Sequence, residues 1–396
     1  MRDICFLSPK FCGYIGGMET HSYEFAKFFI NNPVHPIRSI ITKNVVDDGI
    51  PVARTVHDST FRETPNPIWT DHLVNPILSG DFEKDAQAIM GKSNFPETIL
   101  YLNSPTWLPV SKIIRQKYPS TKIIVRSGGN DIVAAWIGNE SDKTRKLEES
   151  KKYLVNIVNE IVDHFIVNSN YSFQRTLATG IYKNKLVKTI GGVDCESFLP
   201  KKDGEKKNQL TIITAARLMK FKGIEYSIEA FKQVSTMTNI PLRYIIIGDG
   251  PERKRLESLA KESSENIFFI GAKSIEEMPK HLAEADIFLH MPIHEQRQER
   301  GSSYIHTETM GRGLCEAAAA GLPVVTTAVG GIPEIVEEGM SGFIVPERNV
   351  NLAAEKLYTL ISSSELRQTI GVQARLKAVK NFDWNNIFSA YKKLFE

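Results

Sequence analysis

Two successive series of short β-rich runs, each alternating with helical stretches, constrain this chain more than any other feature. In the first series the predicted strands are Ile4–Leu7, Ile37–Thr42, Thr98–Leu102, Lys122–Val125, Phe165–Val167 and Leu186–Thr189. Helices are predicted over Glu19–Ile30, Asp142–Val162 and Ser172–Ala178, and the poorly periodic stretch from Val45 to Asn94 reads as loops. The series restarts with strands at Leu210–Ala215, Tyr244–Ile247, Ile267–Ile270, Ile287–Leu289, Val324–Thr326 and Phe343–Val345. Helices lie between them at Ile224–Val234, Glu252–Glu262, Ile275–Ala285 and Leu352–Ile361. Such alternation is the signature of α/β units on parallel sheets. Between the series runs Pro200-Lys201-Lys202-Asp203-Gly204-Glu205-Lys206-Lys207-Asn208, charged and Gly-containing, which reads as a linker.

The expected architecture is therefore two Rossmann-like parallel-sheet domains facing a cleft, the usual ligand position in open α/β sheets. The first would cover residues 1–200 and the second 209–380. A length of 396 residues is ample for both cores. Lys and Arg number 49 against 46 Asp and Glu, a balance that argues against nucleic acid as a partner. No run of eighteen apolar residues occurs, and the N-terminus lacks a signal-peptide core. Cys5, Cys12, Cys195 and Cys315 show no CxxC spacing, as expected of reduced thiols in the cytoplasm.

The chemistry concentrates in the second half. Glu308-Thr309-Met310-Gly311-Arg312-Gly313-Leu314-Cys315-Glu316 places two carboxylates around a glycine-rich turn, with a helix predicted from Leu314 to Ala320 and Gly321 as its C-cap. Loop amides and a helix N-terminus make a phosphate pocket, and flanking carboxylates can hold sugar hydroxyls. Arg217, with Lys222-Gly223 five residues on, follows the first strand of this half and suits a diphosphate. Gly248-Asp249-Gly250-Pro251-Glu252 reads as a tight structural turn, and Gly271-Ala272-Lys273 offers backbone groups that could read a base edge.

With Gly16-Gly17-Met18-Glu19-Thr20-His21, Gly191-Gly192-Val193-Asp194 and Gly330-Gly331-Ile332-Pro333-Glu334, these motifs resemble the retaining glycosyltransferases of family four along nearly the whole chain. The resemblance implies the GT-B fold, with the C-terminal helix of residues 381–396 crossing back to the N-terminal domain. It implies metal-independent transfer without a cofactor from a nucleotide sugar, UDP being favoured, by front-face attack with retention. Arg217 and Lys222 would neutralise the diphosphate, Glu308 would hold the transferred sugar, and Glu316 the ribose. Amides of Met310, Gly311, Arg312 and Gly313 would touch sugar and phosphate, with Leu314 and Lys273 also at the donor. Gly16 and Gly17 would close on the diphosphate, with hinges near Lys201–Asn208 and Val379–Phe382.

The chain departs from the family pattern in three places. Gly128, in Arg126-Ser127-Gly128-Gly129-Asn130-Asp131, stands where many members carry a His. Arg312 replaces a usually apolar residue. Residues 290–307 form a long polar connection, expected as a mobile loop folding over substrate. Its His290, His294, His306 and Glu295 do not read as a metal site, because Pro292 breaks the helix that an H-x3-H pair would need.

The acceptor, whether a sugar, a lipid-linked or a small-molecule hydroxyl compound, would meet Glu19, His21, Asn103, Trp107, Arg126, Asn130 and Asp131. Lys143, Lys146, Lys151 and Lys152 suit either a solvated helix face or peripheral contact with an inner membrane face. A nicotinamide dehydrogenase is excluded by the spacing of Gly13-Tyr14-Ile15-Gly16-Gly17. A nucleotide-sugar epimerase and a non-catalytic GT-B partner remain as alternatives.

Overall fold

The structure is a computed structural model that describes residues 2–8, 17–30, 32–42, 74–76, 81–91, 98–131, 146–201, 209–261 and 266–396. The chain divides into two compact units. Unit 1 comprises Met1–Thr189, Arg297–Tyr304 and Phe388–Glu396, and unit 2 comprises Ile190–Gln296 and Ile305–Ile387.

Unit 1 is built on parallel strands β1 (Asp3–Ser8), β2 (Ile37–Thr42), β3 (Val74–Pro76), β4 (Thr98–Leu102), β5 (Lys122–Arg126), β6 (His164–Val167) and β7 (Leu186–Lys188). Their order is β3-β2-β1-β4-β5-β6-β7. The central strands are apolar without alternation because helices cover both faces of a parallel sheet; Thr98–Leu102 is buried at every residue. The third strand and the Phe82–Met90 helix fall in the stretch expected to be loops. The strand is three residues ending in Pro76, too short for a periodic signal. The helix is started by Asp81, whose carboxylate accepts from the Glu83 and Lys84 amides. In the final helix, Trp384–Phe395, the residues Phe388, Tyr391 and Phe395 join unit 1, where Phe395 lies 5.1 Å from Phe29 and Phe388 5.7 Å from Phe25.

Unit 2 repeats the plan with β8 (Leu210–Ala215), β9 (Leu242–Ile247), β10 (Ile267–Phe269), β11 (Ile287–His290), β14 (Val324–Thr327) and β15 (Gly342–Val345). These parallel strands run in the order β10-β9-β8-β11-β14-β15. In each sheet the chain order reverses once, between β1 and β4 and between β8 and β11. Loops leaving the strand ends diverge at such a switch point and open a crevice.

The boundary falls between Thr189 and Ile190, ahead of the expected residue 200. Val193, Cys195 and Phe198 are buried in the unit 2 core, and Val193 pairs with Asp383 in a β-bridge, so this segment is fixed by packing there. Of the linker expected at residues 200–208, residues 202–208 lie outside the described residues. Val379–Asn381, expected near a hinge, is the last turn of the Ser364–Asn381 helix.

The expected mobile loop at 290–307 is a two-stranded ribbon, β12 (Glu295–Glu299) and β13 (Ser302–His306). Its turn uses positive φ at Arg300 (47°) and Gly301 (80°), the requirement of a tight hairpin. The Arg300 carbonyl accepts from the Leu147 amide at the start of the Leu147–Ile161 helix, and Tyr304 joins the unit 1 core. Among the described residues no helix is long and apolar enough to cross a membrane. Of the lysines near that helix, Lys151 pairs with Glu148 at 2.8 Å and Lys143 lies outside the described residues.

Candidate functional site

The switch point of unit 2 gathers residues far apart in sequence. From the loop after β8 comes Lys222, from the end of β11 His290, and from the segment after β13 Glu308. The Lys222 ammonium bonds the Glu308 carboxylate, and His290 Nε2 lies 3.6 Å from the same oxygen. Burial disfavours the Glu308 charge, but the Lys222 cation and the His290 hydrogen bond outweigh it and hold this carboxyl well below the usual range. Burial depresses His290, so its ring is neutral near pH 7, and its buried Nδ1 has no hydrogen-bond partner among the described residues.

Three glycine turns place this cluster. Gly330 has φ +58°, and a Cβ there would come 1.8 Å from the Glu308 carbonyl oxygen, which instead accepts from the Gly331 amide at 3.2 Å. The Gly330-Gly331 motif thus fixes the backbone of Glu308. Gly223 has φ +61°, and a Cβ would fall 1.7 Å from the Met291 carbonyl, so the Lys222 turn packs directly on the chain beyond His290. Gly248 and Gly250 approach the Ala216 and Leu218 carbonyls in the same way, supporting the Arg217 loop from below.

Glu308 leads into Gly311, the left-handed N-cap of the Arg312–Ala319 helix. The helix starts two residues earlier than expected, so Glu316 sits in its second turn. There Arg312 Nε approaches Glu316 Oε1 at 3.3 Å. Burial raises the Glu316 carboxyl above its usual value, with Arg312 opposing the rise. Arg312, a departure from the family pattern, is therefore the counter-ion of the second motif glutamate.

Other donor candidates separate by role. Met310 is buried and its sulfur accepts from the Gly191 amide at 3.1 Å, which accounts for the Gly191-Gly192 motif as packing behind the donor loop. Leu314 is core, its amide donating to Gly311, and a Cβ on Gly313 would press on the Ala215 carbonyl at 3.0 Å. Arg217 is exposed, with no side-chain partner among the described residues, and Lys273 lies beside Glu277. Gly16 lies outside the described residues, and Gly17 and Glu19 are described by their helical backbone alone.

Unit 1 places the acceptor candidates at its own switch point. Asn103, just past β4, accepts from Arg126 at 3.2 Å and donates to Ser22 at 2.6 Å, while His21 Nε2 lies 2.9 Å from the Tyr101 hydroxyl. Trp107 is buried. The Asp131 carboxylate accepts from Ser127 and from the Gly128 and Gly129 amides, and so holds the loop in which Gly128 replaces the family His. Asn130 accepts from Arg175 at 3.5 Å.

His290 is the residue that sequence reading underrated. The sequence argues against a metal there and gives it no other role, whereas its neighbour is Glu308; His294 lies elsewhere, 3.5 Å from Glu347. The available signal was its position at the end of a buried strand.

Residues 196–377 match the glycosyl transferases group 1 family. Over that stretch the chain is similar to this family. Sulfoquinovosyl transferase SQD2 of Arabidopsis thaliana is 34% identical over 207 residues, 49% of this chain and 36% of that protein. Spore coat protein SA of Bacillus subtilis is 25% identical over 394 residues, 91% of this chain and 97% of that one. The chain spans about half the length, or less, of the curated relatives it matches at 30% identity or more. Among solved structures, Anabaena HepE in complex with UDP and glucose superposes with a TM-score of 0.73 at 18% identity, over 100% of this chain and 99% of that one. The fold is GT-B.

The two glutamates titrate in opposite directions. Carboxyl-carbon NMR should show Glu308 ionised below the ordinary carboxylate range and Glu316 taking its proton above it. By linkage, Glu308 contributes stability that is present above the unfolded carboxylate value and lost as pH falls through its depressed one. Glu316 has the reverse sign, its stability fullest below the unfolded value and lost as pH rises through its raised one. An ordinary titration of Glu308 would mean that Lys222 and His290 do not hold it.

Proposed function

We propose that this protein is a retaining, metal-independent glycosyltransferase that moves a sugar from a nucleoside-diphosphate sugar, UDP favoured, to a hydroxyl acceptor. The observation that carries the reading is the Lys222–Glu308–His290 cluster beside the Gly311 helix start, at the switch point of unit 2. A diphosphate meets the free Arg217 guanidinium, the Lys222 ammonium and the first amides of the Arg312–Ala319 helix. Glu308, kept ionised, accepts hydroxyls of the transferred sugar, and Glu316 reads the ribose. As the glycosidic bond breaks, negative charge grows on the leaving diphosphate, and side-chain cations with oriented amides stabilise it. No resident metal or cofactor is required.

Retention fits the engagement of Asp131, whose oxygens are occupied by its own loop, leaving the leaving phosphate to take the acceptor proton in a front-face attack. The acceptor is read by unit 1. UDP is favoured partly because HepE, alike in fold, binds UDP with glucose. The buried free thiols of Cys5, Cys195 and Cys315 suit the cytoplasm; peripheral membrane contact would involve the remaining exposed lysines.

The test is a thermal-shift panel of UDP, GDP and ADP with their sugars, followed by nucleoside diphosphate release with and without EDTA. UDP and a UDP-sugar should raise the melting temperature, and release should survive chelation. A strict Mg²⁺ or Mn²⁺ requirement would contradict side-chain neutralisation, and the absence of any nucleotide effect would end the assignment.

A further inference from the structure

Arg126, the last residue of β5, is 6% exposed, yet its guanidinium forms no ion pair with any described carboxylate. Its one well-formed hydrogen bond goes to the neutral Asn103 amide, which fills one of five donors. The nearby acid, Asp131, is committed to Ser127 and the glycine amides. Among the described residues, the other neighbours that act on it bring no negative charge. Burial, then the Arg126 cation, keep His21 well below its usual pKa and hence neutral. Burial keeps Tyr101 and Tyr391 protonated. Burying an unpaired guanidinium is costly, and a fold retains one where something else supplies the anion.

Two independent observations point to what supplies it. The first is place: Arg126, Asn103 and Ser8 sit at the carboxyl ends of β5, β4 and β1, beside the β1/β4 switch point, where open α/β sheets bind ligands. The second is a vacancy in hydrogen bonding. The Tyr391 hydroxyl is buried and faces Arg126 and Tyr101, but among the described residues it makes no hydrogen bond of full geometry. A planar fork and a phenol donor in one buried corner match an oxyanion, since Arg recognises carboxylate and phosphate through paired N–H groups.

We propose that unit 1 binds an oxyanion, a carboxylate or phosphate carried by the acceptor, with Arg126 as its cation and Tyr391 as a neutral donor. The site rests on the transferase reading only in naming the bound molecule as the acceptor; the anion site stands on unit 1 alone.

The test is calorimetric titration of the full chain with inorganic phosphate, malonate and glycerol 3-phosphate. Sedimentation with phosphatidylglycerol vesicles, against phosphatidylcholine ones, separates a lipid phosphate from a soluble anion. At least one probe should bind wild type and Lys222→Ala alike, and Arg126→Gln roughly tenfold or more weakly. Arg126→Lys, which keeps the charge without the fork, should fall between and decides the matter should Arg126→Gln not fold. Arg126→Gln should melt no lower than wild type, because the residue it removes is uncompensated. Equal binding by wild type and both Arg126 variants overturns the proposal, as does anion binding that follows Lys222 alone. A lowered melting temperature without loss of anion binding marks a structural arginine, with the same consequence. UDP titrated in parallel separates the two readings: UDP binding without an Arg126 effect sinks the anion site, and an Arg126 effect without UDP binding sinks the transferase.

Discussion

Lys222→Ala should reduce sugar transfer by about 10²–10³-fold and lower the melting temperature at the same time. The two losses have different origins. Transfer suffers because the departing diphosphate loses a cation where its charge develops. Stability suffers because Glu308, its side chain 12% exposed, keeps its charge without its partner. Stranding one member of a buried pair costs about 3–5 kcal/mol, less here because Lys222 is 16% exposed. The double variant Lys222→Met with Glu308→Gln removes both charges and should recover most of the stability while staying inactive. Calorimetric melting and donor turnover on the three proteins test this. A Lys222→Ala enzyme with unchanged turnover would remove Lys222 from the site, and a double variant no more stable than the single one would deny the pair.

Glu308→Gln and Glu316→Ala should fail in different ways. Glu308 lies in the extended approach to Gly311, bonded to Lys222 and flanked by His290, where a transferred sugar would be held. Glu308→Gln should therefore bind free UDP within a few fold of wild type and lose transfer by about 10²-fold or more. Glu316 lies in the second turn of the Arg312–Ala319 helix with Arg312 as its counter-ion. Removing it should weaken UDP itself, through lost ribose hydrogen bonds and an Arg312 left without its carboxylate. Titration of UDP and the UDP-sugar into each variant distinguishes them. Loss of free UDP binding by a folded Glu308→Gln protein would show the roles to be wrongly divided.

Much of the fold was legible because parallel strands buried on both faces carry long apolar runs that need no tertiary information to be seen. The Val45–Asn94 stretch was not, since a three-residue edge strand ending in proline and a helix marked mainly by its Asp81 cap carry little periodic signal. The ribbon at 295–306 was hidden for another reason: its exposed, charged strands alternate weakly, and its order comes from Arg300 and Tyr304 packing in unit 1. At the site, Lys222, Glu308 and Glu316 were readable from spacing and resemblance. His290 was not, because the property that matters is which carboxylate it faces.

The sequence by itself determined two parallel α/β units, the glycine turns and the charged groups available at strand ends, all of them products of local periodicity and backbone permission. Tertiary structure alone decided which of those groups meet. Lys222 and Glu308 stand 86 residues apart, and Arg126 reaches Asn103 across 23. Lys222 and Glu308 meet because strand order in the sheet differs from chain order and draws remote loops together, whereas Arg126 and Asn103 meet because β4 and β5 pair side by side. Tertiary structure likewise decided which charges are answered: among the described residues Glu308 has a cation partner and Arg126 has no carboxylate, a difference set by the neighbours that packing brings within hydrogen-bond reach.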